Sequence, residues 1–190
     1  MKRTVPIINT ARVTLRAMRP EDFDRFAEIW ADPEVVAQIR GGPRSRAASW
    51  DAFLRNAGHW QMTGFGQWAI SEVRSRRMVG QTGFFYGNRE LGDDFDPYPE
   101  AGWVLAREAQ GQGLALEAVQ AAHEWFDRVI PGPLTALITQ AHDRSLRIAE
   151  ALGYRTLRDA EMDGVALVLM RRNGPPGGRP CRYRSAGCRN

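Results

Sequence analysis

The 190-residue chain is predicted to form a single mixed α/β domain around one sheet. Short segments of strand character alternate with segments of helical periodicity, in the order strand, two helices, three strands, helix, strand, helix, two strands. A chain with this order of elements folds as helices packed on a shared sheet. The composition agrees, because 43% hydrophobic and 25% charged residues are typical of a globular domain.

The local pattern supports each element in turn. Residues 12–17 alternate apolar and polar side chains, as a half-buried strand does. Pro20, followed by two acids, opens a helix, because proline suits the first turn and acids suit its positive end. Gly153 is predicted to cap a helix in the left-handed conformation, and Asp163-Gly164 predicts a tight hairpin turn. The predicted strands are 12–17, 67–73, 78–86, 100–106, 134–139, 154–158 and 165–171, and the later helices are 47–62, 113–129 and 143–152.

Charge and cysteine content divide the chain into a domain, residues 1–172, and a tail, residues 173–190. The tail is rich in Gly and Pro and holds four arginines and no acid, which leaves 22 basic and 22 acidic residues in the domain. A neutral domain argues against nucleic acid as a partner, and we expect the tail to be disordered, with contact to an acidic surface as the alternative. Cys181 and Cys188 both lie in the tail, so neither can staple the core. No apolar run predicts a membrane span or a secretion signal, so the expected location is cytoplasmic.

The turn Gln110-Gly111-Gln112-Gly113-Leu114-Ala115 follows a predicted strand and opens a long helix. Unpaired N–H groups at a helix N-terminus bind anions, and the glycines let a phosphate approach the backbone. A Walker loop would need a lysine followed by Ser or Thr, which the sequence lacks. A dinucleotide turn would have a third glycine where Leu116 stands.

This turn resembles the Gln/Arg-x-x-Gly-x-Gly/Ala signature of the GNAT (GCN5-related) acetyltransferases, and Ala141–Tyr154 resembles a second segment of that family. Residues 100–105 and 115–118 are similar to its ribosomal-protein alanine acetyltransferase branch. The resemblance covers residues 10–172. It implies a twisted, mostly antiparallel sheet of about seven strands, with helices on both faces and a splayed fourth and fifth strand.

The resemblance also implies acetyl-CoA as co-substrate and no metal. Its pyrophosphate would lie on the N–H groups of the glycine turn, and its pantetheine arm would pair with the strand around Val104–Ala106. The N–H of Leu105 would face the thioester oxygen. His142 stands where the family most often has asparagine, so it would either donate to the pantetheine, cap the helix or act catalytically. The cofactor-binding set is Val104, Leu105, Ala106, Gln110, Gly111, Gln112, Gly113, Leu114, Ala115, His142 and Ser145.

For catalysis the resemblance implies Glu100 as general base and Ser145 as the acid that protonates the leaving thiolate, with Leu105 stabilising the oxyanion. Alternatives stay open, because Glu100 could be a solvated strand-end residue and Ser145 could bond its own helix turn. The acids Asp93, Asp94 and Asp96 would attract a cationic amine or simply be solvated. Trp50 and Trp60 are predicted to lie in the core, and the alternative is that they line the acceptor pocket.

The predicted function is acetyl transfer from acetyl-CoA to a primary amine by direct attack in a ternary complex. The acceptor would be a protein N-terminus or a small-molecule amine, and the protein would be a monomer or a homodimer with no membrane partner. A catalytically idle domain that senses acyl-CoA is the alternative.

Overall fold

The structure is a computed structural model, and it describes residues 4–174. One eight-stranded sheet runs through it in the order β1-β2-β3-β4-β5-β6-β8-β7. The strands are β1 (Ile8–Asn9), β2 (Val13–Arg16), β3 (Gln67–Glu72), β4 (Met78–Phe85), β5 (Glu100–Leu105), β6 (Leu134–Thr139), β7 (Arg155–Met162) and β8 (Val165–Arg172). The helices are α1 (Phe23–Ala31), α2 (Pro33–Val36), α3 (Arg46–Thr63), α4 (Leu114–Val129) and α5 (Asp143–Ala151). The predicted mixed α/β class is confirmed.

All neighbouring strands are antiparallel except β5 and β6. These two run parallel because α4 carries the chain back between them, as a crossover helix must. Their ladder has one position, the pairing of Glu100 with Thr135, and beyond it the two strands diverge. The predicted splay of the fourth and fifth predicted strands is therefore present in the middle of the sheet.

Helices cover both faces of the sheet, as predicted. Alternation along β3 shows this, since Trp68 and Ile70 belong to the core beneath α4 while Ala69 packs with α1 and α3. All three side chains are fully buried. The sheet is thus a middle layer whose two faces both exclude water.

Two turns predicted from single residues are confirmed. Gly153 has φ of +89°, and the N–H groups of Gly153 and Tyr154 donate to the carbonyls of Glu150 and Ala149, which is a Schellman cap. Asp163 and Gly164 both have positive φ and join paired Met162 and Val165. Positive φ at both central positions is the requirement of the twisted two-residue hairpin.

Some predictions differ from the structure. β1 and α2 were not predicted, because two and four residues carry no readable periodicity. β7 extends to Met162 rather than ending at Arg158. Trp50 is 44% exposed and was wrongly assigned to the core, although its ring packs edge-on against Phe23. Within residues 4–174 no helix is long and apolar enough to cross a membrane, and the predicted disordered tail lies beyond the described residues.

Candidate functional site

The gap between β5 and β6 leaves one edge of β5 open. The Ala106 N–H donates to the Val79 carbonyl (2.8 Å), on the β4 side. Because successive backbone groups of a strand point to opposite sides, the N–H groups of Leu105 and Trp103 face the gap. The Leu105 carbonyl accepts a bond from Gln110 Nε2 (3.1 Å). An extended ligand in the gap could therefore pair with β5 as a further strand.

The glycine turn stands at the end of this gap. Gly111 and Gly113 have φ of +74° and +75°, a conformation that favours glycine. Gly113 is the N-cap of α4 and provides no side-chain cap, so the first N–H groups of that helix have no side-chain acceptor from the cap. A Cβ added to Gly111 would meet nothing within 4 Å. The turn is open to solvent and suited to an anion.

A brace that the sequence did not reveal holds the turn in place. Arg12 Nη1 donates to the Gln112 carbonyl (2.7 Å), and Arg12 Nε donates to Glu117 Oε2 (2.6 Å). Glu117 Oε1 also accepts from the Thr10 hydroxyl (2.6 Å) and the Arg12 N–H (2.9 Å). The segment before β2 is thus tied to the first turn of α4 by a contact across about a hundred residues of sequence, which no local pattern could predict.

A cavity of about 540 Å³, here called the turn cavity, runs along the open edge of β5. It brings together most of the predicted cofactor-binding residues: Val104, Leu105, Gln110, Gly111, Gly113, Ala115, His142 and Ser145. Three predicted side chains do not line it. Ala106 and Leu114 are buried, and the side chain of Gln112 bonds the Glu108 carbonyl (2.7 Å).

His142 lies where β6 meets α5. It occupies the N-cap position, but its side chain makes no capping bond, so the structure does not support the side-chain cap considered above. Burial lowers the pKa of His142, and the nearby Arg144 cation lowers it further. The imidazole is therefore neutral at pH 7, with one nitrogen to donate and one to accept a proton.

A second cavity of about 450 Å³, here called the Glu100 cavity, lies beside the first. Glu100 is 4% exposed, which rules out the solvated strand-end residue. Its carboxylate accepts two bonds from one guanidinium, Arg89 Nε to Oε2 (2.6 Å) and Arg89 Nη2 to Oε1 (2.9 Å). Burial raises the pKa of Glu100, and Arg89 opposes that rise without cancelling it. No local sequence pattern predicted this partner.

Two acids of the 87–99 loop, Asp94 and Asp96, have structural partners. Asp96 accepts bonds from the N–H groups of Arg89, Leu91 and Gly92, and so fixes the backbone that presents Arg89. Asp94 pairs with Arg158 on β7 through Nε (3.0 Å). Asp93 is exposed. Among residues 4–174, no group of three or more His, Cys, Asp or Glu side chains is arranged to hold a metal ion.

The two cavities meet at the mouth of the gap. Six residues line both: Gln38, Ile39, Trp103, Val104, His142 and Ser145. Ser145 is 8% exposed, and its Oγ accepts a bond from Trp103 Nε1 (3.2 Å). Because an indole nitrogen can only donate, the serine keeps its own hydroxyl proton for another acceptor. The arrangement brings together a glycine turn suited to an anion, an open strand edge, a buried carboxylate and a hydroxyl donor.

Comparison with known proteins agrees with this geometry. Residues 12–155 match the family described as acetyltransferase (GNAT) domain. The uncharacterised N-acetyltransferase p20 of Bacillus licheniformis is 26% identical over 157 residues, which cover 80% of this chain and 85% of that protein. A solved structure from Bordetella pertussis, assigned to the GNAT acetyltransferases, is 30% identical with a TM-score of 0.79 and covers 88% of this chain and 99% of that one.

A more distant solved structure shares the fold alone. It is a spermidine N-acetyltransferase from Vibrio cholerae in complex with CoA and spermine, 13% identical with a TM-score of 0.67. The alignment covers 86% of this chain and 96% of that one. The family match spans well over half of the sequence and includes the glycine turn, the open strand and the Schellman-capped helix. The chain therefore belongs to the GNAT acetyltransferase family.

Proposed function

We propose that the protein transfers the acetyl group of acetyl-CoA to a primary amine by direct attack in a ternary complex. One observation carries this proposal. The glycine turn lines the turn cavity, the buried carboxylate of Glu100 lines the Glu100 cavity, and Ser145 lines both. Two substrates bound in these cavities would therefore meet with their reacting ends together, which removes most of the entropic cost of a bimolecular reaction.

The turn cavity would hold the co-substrate. The N–H groups of residues 111–115 would bind the pyrophosphate, with the brace from Arg12 keeping the turn in shape. The pantetheine arm would lie along Val104–Ala106, and His142 would contact it from the opposite wall. A related fold with CoA bound, that of the spermidine N-acetyltransferase, supports the choice of acetyl-CoA.

The thioester would react at the mouth of the gap. The N–H of Leu105 faces the gap and would donate to the oxygen that becomes negative when the amine attacks. A bond forms between the amine nitrogen and the carbonyl carbon, and the bond between that carbon and sulfur then breaks. Ser145 would give its hydroxyl proton to the departing thiolate, because its oxygen already accepts from Trp103 and its proton is free. The serine would then recover a proton through water, balanced by the proton that the amine gives to Glu100.

Glu100 would take the proton that the amine loses. Its raised pKa brings the carboxyl closer to neutral pH, where a general base works best. Arg89 occupies one lone pair on each oxygen and leaves others for the amine or a bridging water. Residues 100–105 and 115–118 resemble the ribosomal-protein alanine acetyltransferase branch, for which the acceptor would be a protein N-terminus, and a small-molecule amine is the other acceptor class that this function admits.

Free thiol released from acetyl-CoA tests this function directly. The full chain would be incubated with acetyl-CoA and a panel of amines that includes peptides with free N-termini, and acetylated products would be identified by mass spectrometry. We expect thiol release that depends on one class of amine. Tight CoA binding without turnover of any amine would reject the enzyme and favour the idle acyl-CoA sensor.

A further inference from the structure

The charge lining the Glu100 cavity is unusual for a site that would receive a cationic amine. Four arginines line it, Arg40, Arg44, Arg55 and Arg89, and among the described lining residues Glu100 is the one carboxylate. Two of the four are neutralised, since Arg89 pairs with Glu100 and Arg40 pairs with Asp163 at the β7–β8 turn. Arg44, which is half-buried, and Arg55, whose side chain is exposed, also line the cavity and add two positive charges.

No carboxylate within residues 4–174 lies within 4 Å of the guanidinium of Arg44 or Arg55. The two cations also repel each other. Burial and the charge of Arg55 lower the pKa of Arg44 to about 10, so Arg44 stays protonated at neutral pH. A half-buried cation beside a like charge is destabilising unless an anion joins them.

The structure holds Arg44 in one orientation. Its guanidinium carbon lies 3.4 Å from the ring centroid of Trp30, and Trp30 itself is fixed by a bond from its Nε1 to Gln81 Oε1 (3.3 Å). The Arg44 N–H donates to the Trp30 carbonyl (2.9 Å), which anchors the backbone. A guanidinium over the face of an aromatic ring is held there by cation–π attraction, and its N–H groups can still donate to a carboxylate or phosphate.

We propose that the acceptor is a small primary amine that also carries an anionic group, a carboxylate or a phosphate, bound by Arg44 and Arg55. This inference rests on the proposed acetyl transfer and specifies its substrate class. Guanidinium groups bind carboxylates and phosphates through paired, charge-assisted hydrogen bonds. The anion lies beside α3 and Trp30, and the amine of the same molecule lies toward Glu100 and Ser145, which line the same cavity.

The loop acids are consistent with this substrate class. Asp94 and Asp96 bond to Arg158 and to backbone N–H groups, and neither lines the Glu100 cavity. The spermine that accompanies the distant Vibrio cholerae fold is a polycation. Such an acceptor would meet uncompensated arginines here, so this chain discriminates against it.

Matched acceptors test the proposal with the full chain and acetyl-CoA. The carboxylate arm compares α-amino acids with their C-terminal amides, the phosphate arm compares O-phosphoethanolamine with ethanolamine, and spermidine serves as the cationic arm. Each kcat/KM is corrected for the fraction of unprotonated amine, because the amides have a larger unprotonated fraction than the amino acids at neutral pH. We expect the anionic member of at least one pair to be preferred by about ten- to a hundredfold.

Two variants locate the effect. R44Q and R55Q each raise the KM for the anionic acceptor about tenfold or more and leave the neutral partner and the KM for acetyl-CoA unchanged. R44K keeps the charge without the planar fork and gives an intermediate loss. R74Q is the matched control, because Arg74 is exposed in the β3–β4 turn far from either cavity. Thermal unfolding of each variant separates lost binding from lost folding.

The outcomes separate this inference from the function on which it rests. Equal or greater turnover of neutral or cationic amines overturns the anionic acceptor and leaves acetyl transfer standing. Preference for an anionic amine that survives in both R44Q and R55Q overturns the assignment of these arginines. Absence of thiol release with every amine overturns the acetyl transfer, and the acceptor class with it.

Discussion

Trp103 on β5 and Ser145 on α5 are joined across the mouth of the gap by a hydrogen bond of 3.2 Å. The bond connects the two walls that diverge after Glu100 and Thr135, and it holds the serine hydroxyl where both cavities open. The indole donates, so the serine is left as a donor toward the gap. This one hydrogen bond thus holds the serine hydroxyl in position and leaves its O–H group free to donate to another acceptor.

Replacing Ser145 with alanine should lower kcat about a hundredfold and weaken CoA binding much less, although Ser145 belongs to the predicted cofactor-binding set. The reason is that a positioned proton donor contributes about 10²–10⁴ to rate, whereas the pyrophosphate contacts lie elsewhere. Thiol release at saturating acetyl-CoA measures kcat, and calorimetry measures binding. Trp103→Phe is the companion variant, since it removes the bond to the hydroxyl and keeps the hydroxyl itself. Wild-type kcat in Ser145→Ala would remove serine from the chemistry.

Glu100→Gln should abolish the rise of kcat/KM with pH that results from deprotonation of Glu100. Burial raises the pKa of Glu100, so its basic form is gained as pH rises, and kcat/KM should rise over the same range. In the glutamine variant that limb should vanish and the rate fall about a hundredfold. Arg89→Gln should instead move the limb to higher pH, because the buried carboxyl loses its cation. Unchanged activity of Glu100→Gln from pH 6 to 9 would reject this base.

Gly111→Ala should weaken CoA binding about tenfold with only modest loss of stability. A Cβ at Gly111 would meet no protein atom within 4 Å. A φ of +74° destabilises an alanine there by about 1–2 kcal/mol. In the proposed complex the added methyl group would stand where the phosphate approaches the backbone. Gly132→Ala is the matched control, because its Cβ also meets nothing and its φ is not positive. Equal CoA dissociation constants for both variants would contradict the role of the turn.

His123 should make folding stability depend on pH. Its Nδ1 bonds the Val119 carbonyl (2.7 Å) and its Nε2 the Tyr154 hydroxyl (2.9 Å). Burial lowers the pKa of His123 from 6.5 to about 4, so the unfolded chain binds the proton more readily than the folded one. The contribution is complete above pH 6.5 and is lost as pH falls toward 4, by about 3 kcal/mol in total.

Urea unfolding between pH 7 and pH 4.5 measures this dependence. Carboxyl groups also titrate there, so the relevant quantity is the difference between the wild type and His123→Gln. The glutamine side chain can still form a hydrogen bond with Tyr154, and it cannot gain a proton. The free energy of unfolding of the His123→Gln protein should therefore fall less on acidification than that of the wild type. Parallel curves for the two proteins would show that His123 does not drive the loss.

Features encoded within a few residues were predictable from the sequence. The Asp163-Gly164 turn and the Gly153 cap each depend on positive φ at named positions, and the structure has it there. The glycine turn was recognisable for the same reason. The sheet order was not, because strand pairing such as β6 with β8 depends on contacts between distant segments.

The missing parts of the site share one cause. Arg89 reaches Glu100 only because Asp96 folds the loop between them, and Arg12 reaches Glu117 across the whole domain. No sequence pattern distinguishes Arg44 from the other arginines. The lack of a nearby carboxylate is visible only in the folded cavity. Partners brought together by tertiary folding leave no periodic signal in the chain, so the sequence could suggest candidate site residues but not their electrostatic neighbours.

The single ladder position between β5 and β6 has a mechanical consequence. On one side of it lie five strands and on the other three. The sheet therefore consists of two parts that are paired with each other only at one end of β5 and β6. An extended molecule bound in the gap between β5 and β6 would connect the two parts along the rest of β5. When that molecule leaves, water fills the gap, and we expect a change in the angle between the two parts to break fewer backbone hydrogen bonds than a bend within either part.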